Sequence, residues 1–340
     1  MVLVKNKRKL ALSACRLLQA QRWWGLLDRW HGLVVLNYHR IGDPAQSALD
    51  PGVFSATAEQ FEAQLRCLKS DCDVIRVADI ADVLRRESKR RSVLITFDDG
   101  YRDNYELAFP ILQQVGLPAV IFLTTGFLDE GLVAWWDEIA WIVNRTAKSE
   151  LVFPLYWAVP IQTVPALASD RSAVLHSLLR AAKSMTPQEL RAFLETLAEV
   201  AGTGRALRNA ETAPWMTWDM VREMHRAGID FGGHTVTHPV LAKCSVDQQR
   251  EEIQQSKARI ETELGSPITT FSYPIGQSWA MTDDSRRLVR EAGYQWGFNF
   301  YAGYSTGASD PMDLRRVAIE PRMGLPELRA TVGIPRIFTR

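Results

Sequence analysis

Residues 92–100 read SVLITFDDG, an apolar run that ends abruptly in Asp98, Asp99 and Gly100. Its length and β-branched content are typical of a buried strand. Two adjacent carboxylates repel each other and lose solvation when buried, so a strand end that carries them usually offers them a cation. Turns favour the same residue types, and the segment taken alone fits turn chemistry better.

Similar strand patterns recur along the chain, with helical patterns between them. The predicted strands are residues 33–38, 73–77, 92–97, 118–124, 229–233, 268–273 and 294–299. Capping boxes at Thr57 with Gln60 and at Ser245 with Gln248 mark helix starts, and glycines at 228, 265 and 293 mark helix ends. Alternation of this kind predicts a parallel α/β sheet, open or closed into a barrel, with its chemistry at the C-terminal ends of the strands.

A mainly helical stretch, residues 136–214, interrupts this alternation, and Thr186 with Pro187 and Glu189 predicts a helix start within it. We interpret the stretch as an insertion that caps or borders the site. The predicted organisation is therefore a basic segment (1–31), a catalytic domain (32–135 and 215–325) and a helical insertion (136–214).

A second polar motif, His234-Thr-Val-Thr-His238, follows the predicted strand at 229–233. A separation of four residues lets two imidazoles converge on one ion, and one carboxylate with two histidines leaves a coordination position open for water. A pair of ordinary surface or core histidines is the alternative. The acidic pair at another strand end favours the metal site.

With these motifs the chain resembles the polysaccharide deacetylases of the NodB-homology type, also called carbohydrate esterase family 4. The resemblance covers residues 33 to about 125 and 215 to about 321, and rests on residues 96–100 and 234–238. It implies a distorted (β/α) barrel, here with the helical insertion and an N-terminal amphipathic helix. It further implies removal of N-acetyl groups from amino sugars of a polysaccharide, oligosaccharide or glycolipid, as in exopolysaccharides of the bacterial cell envelope.

The resemblance also implies the roles of the motif residues. Asp98 matches the general base, and Asp99, His234 and His238 match the ligands of a divalent metal ion. Zinc suits two histidines and one carboxylate best, although such a site accepts cobalt, nickel or iron.

Two departures from the family pattern concern catalysis. The segment Phe271–Gly276 lacks the arginine that orients the catalytic aspartate in relatives, and Arg316, in the strand-like residues 314–319, is the candidate replacement. An exposed position is the commoner expectation for an arginine. Many relatives carry a late Leu-x-Ile-x-x-His motif whose histidine is the general acid, but no histidine follows His238 here. A similar pattern occurs early, at residues 34–39, so the resemblance implies His39 as the candidate general acid; a merely hydrogen-bonded histidine is the alternative.

Aromatic residues near the motifs are candidates for contact with sugar rings. They are Tyr101, Tyr273 with Pro274, Trp135 and Trp136. The backbone N–H of Tyr101 is also a candidate oxyanion donor. Burial in the core is the alternative for each ring, and the two tryptophans fit a buried anchor of the insertion equally well.

Three functions remain open from the sequence. They are the N-deacetylase, a hydrolase of another C–N bond or of an O-acetyl ester, and a carbohydrate-binding relative without turnover.

The net charge of +1 argues against a nucleic-acid partner. Residues 1–31 nevertheless carry seven basic side chains against the single acid Asp28. The alternation of basic and apolar side chains in residues 1–30 therefore predicts an amphipathic helix, either at a membrane surface or packed on the domain. No cleavable signal peptide is evident, which favours a cytoplasmic or membrane-associated protein, and the four cysteines are expected to be free thiols.

Overall fold

The computed structural model describes residues 32–85, 92–153, 163–164, 170–206 and 214–335, and the fold is given for these. The strands are β1 (Leu33–Tyr38), β2 (Arg40–Ile41), β3 (Phe54–Ala56), β4 (Asp73–Val74), β5 (Ser92–Phe97), β6 (Val120–Leu123), β7 (Leu151–Val152), β8 (Thr163–Val164), β9 (Asp230–Gly233), β10 (Thr270–Ser272), β11 (Trp296–Phe298) and β12 (Arg316–Ala318).

The helices are α1 (Ala58–Asp71), α2 (Ile80–Arg85), α3 (Phe109–Val115), α4 (Thr125–Glu130), α5 (Trp135–Arg145), α6 (Arg171–Ala182), α7 (Pro187–Ala201), α8 (Trp218–Arg226), α9 (Val246–Leu264), α10 (Asp283–Glu291) and α11 (Leu325–Gly333). The predicted capping boxes at Thr57 and Ser245 are confirmed, as is the predicted helix start at Thr186, which also forms a capping box. None of these helices is long and apolar enough to cross a bilayer.

The central sheet has eight strands, and its neighbouring strands run parallel in the order β11, β10, β9, β6, β5, β1, β12, with β4 also paired to β5. Its strands are buried on both faces, which explains their near-continuous apolar runs. A parallel bridge between Phe298 and Leu314 links the two edges, so the sheet is nearly closed. The predicted (β/α) barrel is confirmed, whereas the predicted N-terminal helix lies outside the described residues.

The closure makes β12 a neighbour of β1, with Val35 opposite Arg316 in the register. On its other side β1 pairs with β5 along its whole length. Residues near the two ends of the described chain therefore share three adjacent strands with the SVLITFDDG segment. The predicted bounds of β1 and β5 are confirmed, and the five other predicted strands are shorter than expected.

Helices α5, α6 and α7 pack around a hydrophobic cluster of their own, and we call these three helices the helical module. Ile139, Leu178, Phe193 and Leu197 are fully buried in that cluster. The module joins the barrel through aromatic contacts, in which Phe127 stacks on Trp215 with ring centroids 4.3 Å apart. The predicted insertion thus contains helices with their own apolar core.

A buried polar network fixes this junction. The indole Nε1 of Trp136 donates to the Tyr101 hydroxyl at 2.8 Å, and that hydroxyl donates to Asp137 Oδ2 at 3.0 Å. Asp137 Oδ1 accepts from the backbone N–H of Asp50 at 2.9 Å. Burial raises the pKa of Asp137 to about 7, although the charge of Arg40 and the hydrogen bond from Asp50 oppose the rise. Among the described cysteines, Cys67 and Cys244 are free thiols, as expected.

The raised pKa of Asp137 predicts a pH-dependent stability. The folded protein keeps a proton on Asp137 up to about pH 7, whereas an unfolded aspartate releases it near pH 3.8. Raising the pH from about 4 to about 7 should therefore lower the free energy of unfolding of the wild type relative to Asp137→Asn. Urea denaturation of both proteins across this range measures the difference, and the exposed Asp247→Asn is the control. A difference independent of pH would contradict the assignment.

Candidate active site

The polar residues of both motifs meet at the C-terminal ends of parallel strands in the central sheet. Asp98 and Asp99 follow β5, His234 follows β9, and His39 follows β1. His234 is tied to the neighbouring strand by its backbone N–H, which donates to the carbonyl of Leu123 at 2.9 Å. Segments that lie more than a hundred residues apart in the sequence therefore share one edge of the barrel.

Asp99, His234 and His238 form a compact buried group. Asp99 Oδ1 lies 3.5 Å from His234 Nε2 and 3.6 Å from His238 Nε2. One potential ligand atom from each residue lies within 4.8 Å of the others. A carboxylate oxygen and two imidazole nitrogens at this spacing can bind one divalent cation.

The partners of these groups fit a cation. Asp99 Oδ1 is buried and accepts no hydrogen bond from any described residue, a costly arrangement for a carboxylate oxygen unless a positive charge faces it. His234 Nδ1 lies 2.7 Å from the carbonyl oxygen of Ser272, which can only accept a hydrogen bond. Nδ1 therefore carries a proton, and a neutral His234 has its Nε2 lone pair free for the ion.

Backbone strain concentrates at this group. Asp99 and His238 have φ values of 77° and 57°, and Thr235, between the two histidines, has 69°. Non-glycine residues rarely adopt positive φ, and such strain persists only where the surrounding structure enforces it. The hydrogen bond from His238 N to Thr235 Oγ1, 3.1 Å long, is one such restraint.

The charges of the two histidines differ. Burial, followed by the charge of His234, lowers the pKa of His238 to about 3, so this imidazole is neutral at physiological pH. Burial also acts to lower the pKa of His234, but Asp98 and Asp99 outweigh it and raise the pKa. Since a cation competes with a proton for His234, metal affinity should fall as the pH falls.

Asp98 is held separately, by Arg316. The two guanidinium nitrogens Nη1 and Nη2 donate to the two carboxylate oxygens at 2.8 and 2.9 Å, and Asn37 Nδ2 donates to Oδ2 at 3.1 Å. Burial acts to raise the pKa of Asp98, but the charge of Arg316, with help from His234, holds it well below its usual range. Asp98 is therefore an oriented, ionised carboxylate beside the candidate metal group.

Arg316 itself is 1% exposed, so the expectation of an exposed arginine is wrong. Its remaining donors are also satisfied, since Nε donates to the carbonyl of Asn299 at 2.6 Å and Nη2 to Ser272 Oγ at 2.8 Å. A guanidinium thus contacts Asp98 although the segment Phe271–Gly276 has no arginine.

His39 lies at the border of this group, with Nε2 3.9 Å from Asp98 Oδ2 and a side chain that is 24% exposed. Its backbone is fixed on both sides, because its N–H donates to Ser55 Oγ and its carbonyl accepts from Asn104 Nδ2. The ring packs edge-on against Phe300. His39 is therefore placed where it can reach both Asp98 and a bound molecule.

Comparison with known proteins decides the family. The profile described as "Polysaccharide deacetylase" matches residues 85–150 and 185–297, slightly more than half of the chain. The chain belongs to the polysaccharide deacetylase family. The resemblance of its motifs to that family is thereby confirmed, and the family is one of hydrolases of the carbohydrate esterase type.

Similar proteins extend this result. The Bacillus subtilis protein YxkH is 21% identical over 303 residues, covering 88% of this chain and 76% of its own. Staphylococcus aureus proteins named "Poly-beta-1,6-N-acetyl-D-glucosamine N-deacetylase" are 32% identical over 108 residues, which span 28% of this chain and only 37% of theirs. The match to the staphylococcal proteins is thus confined to a minor part of both chains.

Two solved structures share the fold of this deacetylase-family chain. The Streptococcus pyogenes deacetylase PplD, in complex with acetate, has a TM-score of 0.59 at 20% identity and covers 89% of this chain and 99% of its own. IcaB from Ammonifex degensii has a TM-score of 0.57 at 20% identity, with 90% and 98% covered.

A cleft of about 440 Å³ opens above the candidate active site of this member of the polysaccharide deacetylase family. Among the predicted aromatic residues, Trp135, Trp136 and Tyr273 line it. The Trp136 ring packs against His238 with centroids 4.6 Å apart, so it borders the candidate metal ligands as well as the cleft.

The two other predicted substrate contacts lie elsewhere. The Tyr101 ring is fully buried, and its hydroxyl is engaged by Trp136 and Asp137, so it is not placed to stack on a sugar. Pro274 is not among the residues that line the cleft. The prediction that these two side chains bind substrate therefore has no geometric support, because the junction with the helical module takes up Tyr101.

Several residues of the site escaped the sequence analysis. Asn37 donates a hydrogen bond to Asp98, and Ser272 accepts one from Arg316. Asp50, Lys183 and the half-exposed Trp279 line the cleft, and the exposed fraction of Trp279 is 50%. Asn37 had a detectable signal, since it is a polar residue within an otherwise apolar strand. Asp50 and Lys183 had none, because nothing in their local sequence indicates which surface they face.

The buried pair of Asp98 and Arg316 predicts a large coupling energy. Arg316→Met leaves the carboxylate buried without its cation and should cost about 3–5 kcal/mol of unfolding free energy. Combining it with Asp98→Asn removes the unpaired charge, so the double variant should lose less than the two single losses added together. Urea denaturation of the four proteins measures this, with the exposed Arg315→Met as control. Additive losses would contradict the pairing.

Proposed function

We propose that this chain is a metal-dependent deacetylase that removes N-acetyl groups from amino sugars of a polysaccharide or glycolipid and releases acetate. One observation carries the proposal. Asp98 is an ionised carboxylate outside the Asp99, His234 and His238 group, yet it lies 4.0 Å from His234 Nε2 and is oriented by a buried guanidinium. A general base beside a cation site is what amide hydrolysis by water requires.

Asp99, His234 and His238 would hold the cation, with zinc the best match to their donor atoms and cobalt, nickel or iron acceptable. When bound, the cation supplies Lewis-acid charge for the reaction. Asp98 accepts a proton from the attacking water, and Arg316 and Asn37 keep its oxygens directed while it does so. Attack on the acetamido carbonyl gives a tetrahedral oxyanion, toward which the backbone N–H of Tyr101 is our candidate donor.

His39 completes the reaction in this proposal. It delivers a proton to the nitrogen of the tetrahedral species, the C–N bond breaks, and acetate and a free amine leave. Its position at the cleft, 3.9 Å from Asp98, supports this role. The product amine and acetate together account for all atoms of the substrate and one water.

The polymer is proposed to be one rich in N-acetylated amino sugars. The partial match to the staphylococcal deacetylases of poly-β-1,6-N-acetylglucosamine supports this class. The half-exposed indole of Trp279 and the rings of Trp135 and Tyr273 in the cleft suit the apolar faces of sugars. A carbohydrate-binding relative without turnover is the alternative, and the pairing of Arg316 with Asp98 supports the enzyme, since it supplies a guanidinium in place of the missing motif arginine.

The roles of Asp98 and the metal group predict distinct losses. Asp98→Asn should reduce acetate release from N-acetylglucosamine oligosaccharides by roughly 10²–10⁴-fold while the bound metal remains. His238→Ala should lose both metal and acetate release. Enzymatic acetate assay and elemental analysis of the purified proteins measure the two quantities, and Asp283→Asn, an exposed acid, is the control.

Undiminished acetate release by Asp98→Asn would reject its role as the base. A wild type that releases acetate from O-acetylated but not from N-acetylated oligosaccharides would replace the proposed reaction with ester hydrolysis.

We further propose that residues 1–30 hold the protein at a membrane surface. Their excess of basic side chains among leucines and tryptophans supports this, since anionic lipids attract each basic residue by about 1 kcal/mol. Residues 1–31 lie outside the described structure, so the proposal rests on sequence alone.

Membrane attachment predicts a clear result with lipid vesicles. The full chain should sediment with vesicles that contain phosphatidylserine, and a protein that begins at residue 31 should stay in the supernatant. Raising the salt concentration should weaken the sedimentation, because it screens the basic residues. Equal sedimentation of both proteins would contradict attachment through this segment.

A further inference from the structure

We propose that the cleft contains a second saccharide subsite, in which Asp50 and Lys183 recognise hydroxyl groups of the sugar next to the one that is deacetylated. This subsite rests on the proposed function, and it would select a polymeric substrate over a single sugar. Both residues line the same cleft as Asp98, Asp99 and His234.

The two residues come from different parts of the fold. Asp50 precedes the short 3-10 helix Pro51–Val53 on the barrel side, and Lys183 caps the C-terminal end of α6 in the helical module. The cleft therefore has one wall from the barrel and one from the module. A substrate that fills it contacts both.

Asp50 is rigidly held. It is 7% exposed, its Oδ1 accepts from the backbone N–H of Gly52 at 2.8 Å, and its own N–H is bound by Asp137 at 2.9 Å. Its Oδ2 receives no hydrogen bond from the described residues. One carboxylate oxygen is thus fixed in place with its bonding capacity unused.

Lys183 is complementary to it. Its ammonium forms no hydrogen bond and no ion pair within the described part of the chain, and no contact within 4.0 Å joins it to Asp50. Burial lowers the pKa of Lys183, and the charge of Asp50 partly opposes this. A partly buried ammonium without a partner loses solvation, which a polar ligand between the two groups would restore.

An uncharged sugar matches this pair better than an anionic group does. A hydroxyl donates one hydrogen bond and accepts others, so it can donate to Asp50 and accept from Lys183. A carboxylate or phosphate at the same place would be attracted by Lys183 but repelled by Asp50. Leu179 and Val53 also line the cleft and offer apolar contact to the C–H face of a sugar ring.

The size of the cleft agrees with more than one sugar unit. Its volume of about 440 Å³ falls within the range of pockets that enclose drug-sized ligands, a class that includes disaccharides. We therefore expect the protein to prefer oligosaccharides over the single N-acetylated sugar. Removing the contact of Lys183 with the second sugar should abolish that preference.

The test measures oligosaccharide binding separately from turnover. Mono-, di- and tetrasaccharides of N-acetylglucosamine, in β-1,4 and β-1,6 linkage, are titrated calorimetrically into metal-loaded Asp98→Asn protein. Adding Lys183→Met or Asp50→Asn should raise the Kd of the tetrasaccharide roughly tenfold or more, because each removes a charge-assisted hydrogen bond. Monosaccharide binding should not change.

Two variants control for the fold and for charge. Arg180→Met removes an exposed cation from the same helix and should leave tetrasaccharide binding unchanged. Lys183→Arg keeps the cation and should retain most of the affinity. Asp50→Asn preserves Oδ1 for Gly52, so the turn it supports remains.

Acetate release by the protein with an intact Asp98 is measured in parallel. Unchanged tetrasaccharide affinity in Lys183→Met and Asp50→Asn would overturn the subsite, even where acetate is released normally. Failure of every oligosaccharide to bind would also overturn it. Binding that depends on Lys183 without any acetate release would support the subsite and overturn the proposed reaction.

Discussion

The site depends on one buried ion pair, between Asp98 and Arg316. Two charges removed from water need each other, and both members have every oxygen or nitrogen engaged, through Asn37, Ser272 and the carbonyl of Asn299. The pair spans 218 residues of sequence and joins the end of β5 to β12, so it also ties the closing edge of the barrel to its centre. A single contact thereby orients a carboxylate and links two strands of the closing barrel.

The candidate metal ligands Asp99, His234 and His238 are in the opposite condition, since some of their buried polar atoms lack hydrogen-bond partners among the described residues. Within the described part of the chain, Asp99 Oδ1 has no hydrogen-bond donor and His238 Nδ1 has no hydrogen-bond partner, although both residues are buried. The positive φ of Asp99 and His238 adds conformational strain to this electrostatic cost. The fold tolerates the combination because the surrounding strands fix these loops, and the adjacent Asp98 differs from Asp99 mainly in having a guanidinium of its own.

Local sequence predicted much of this fold and site, since strands with two buried faces and helices with capping boxes are encoded by neighbouring residues. The bounds of β1 and β5 and the convergence of Asp99 with the two histidines follow from such patterns. The burial of Arg316 could not be read locally, because it depends on the barrel closing next to β1. The burial of the Tyr101 ring, left open from the sequence, depends on a distant residue for a related reason, since its hydroxyl donates to Asp137 of the helical module. Asp50 and Lys183 line the same cleft only because the tertiary structure brings their segments together.

The adjacency of β1 and β12 has a consequence for the biosynthesis of the protein. Asn37 and Arg316 are hydrogen-bonded although 279 residues separate them. On the ribosome, Asp98 is therefore synthesised 218 residues ahead of the guanidinium that neutralises it, and the barrel cannot close until β12 has emerged from the exit tunnel. Contacts so distant in sequence form slowly. The nascent protein should stay inactive until β12 is available to pair with β1.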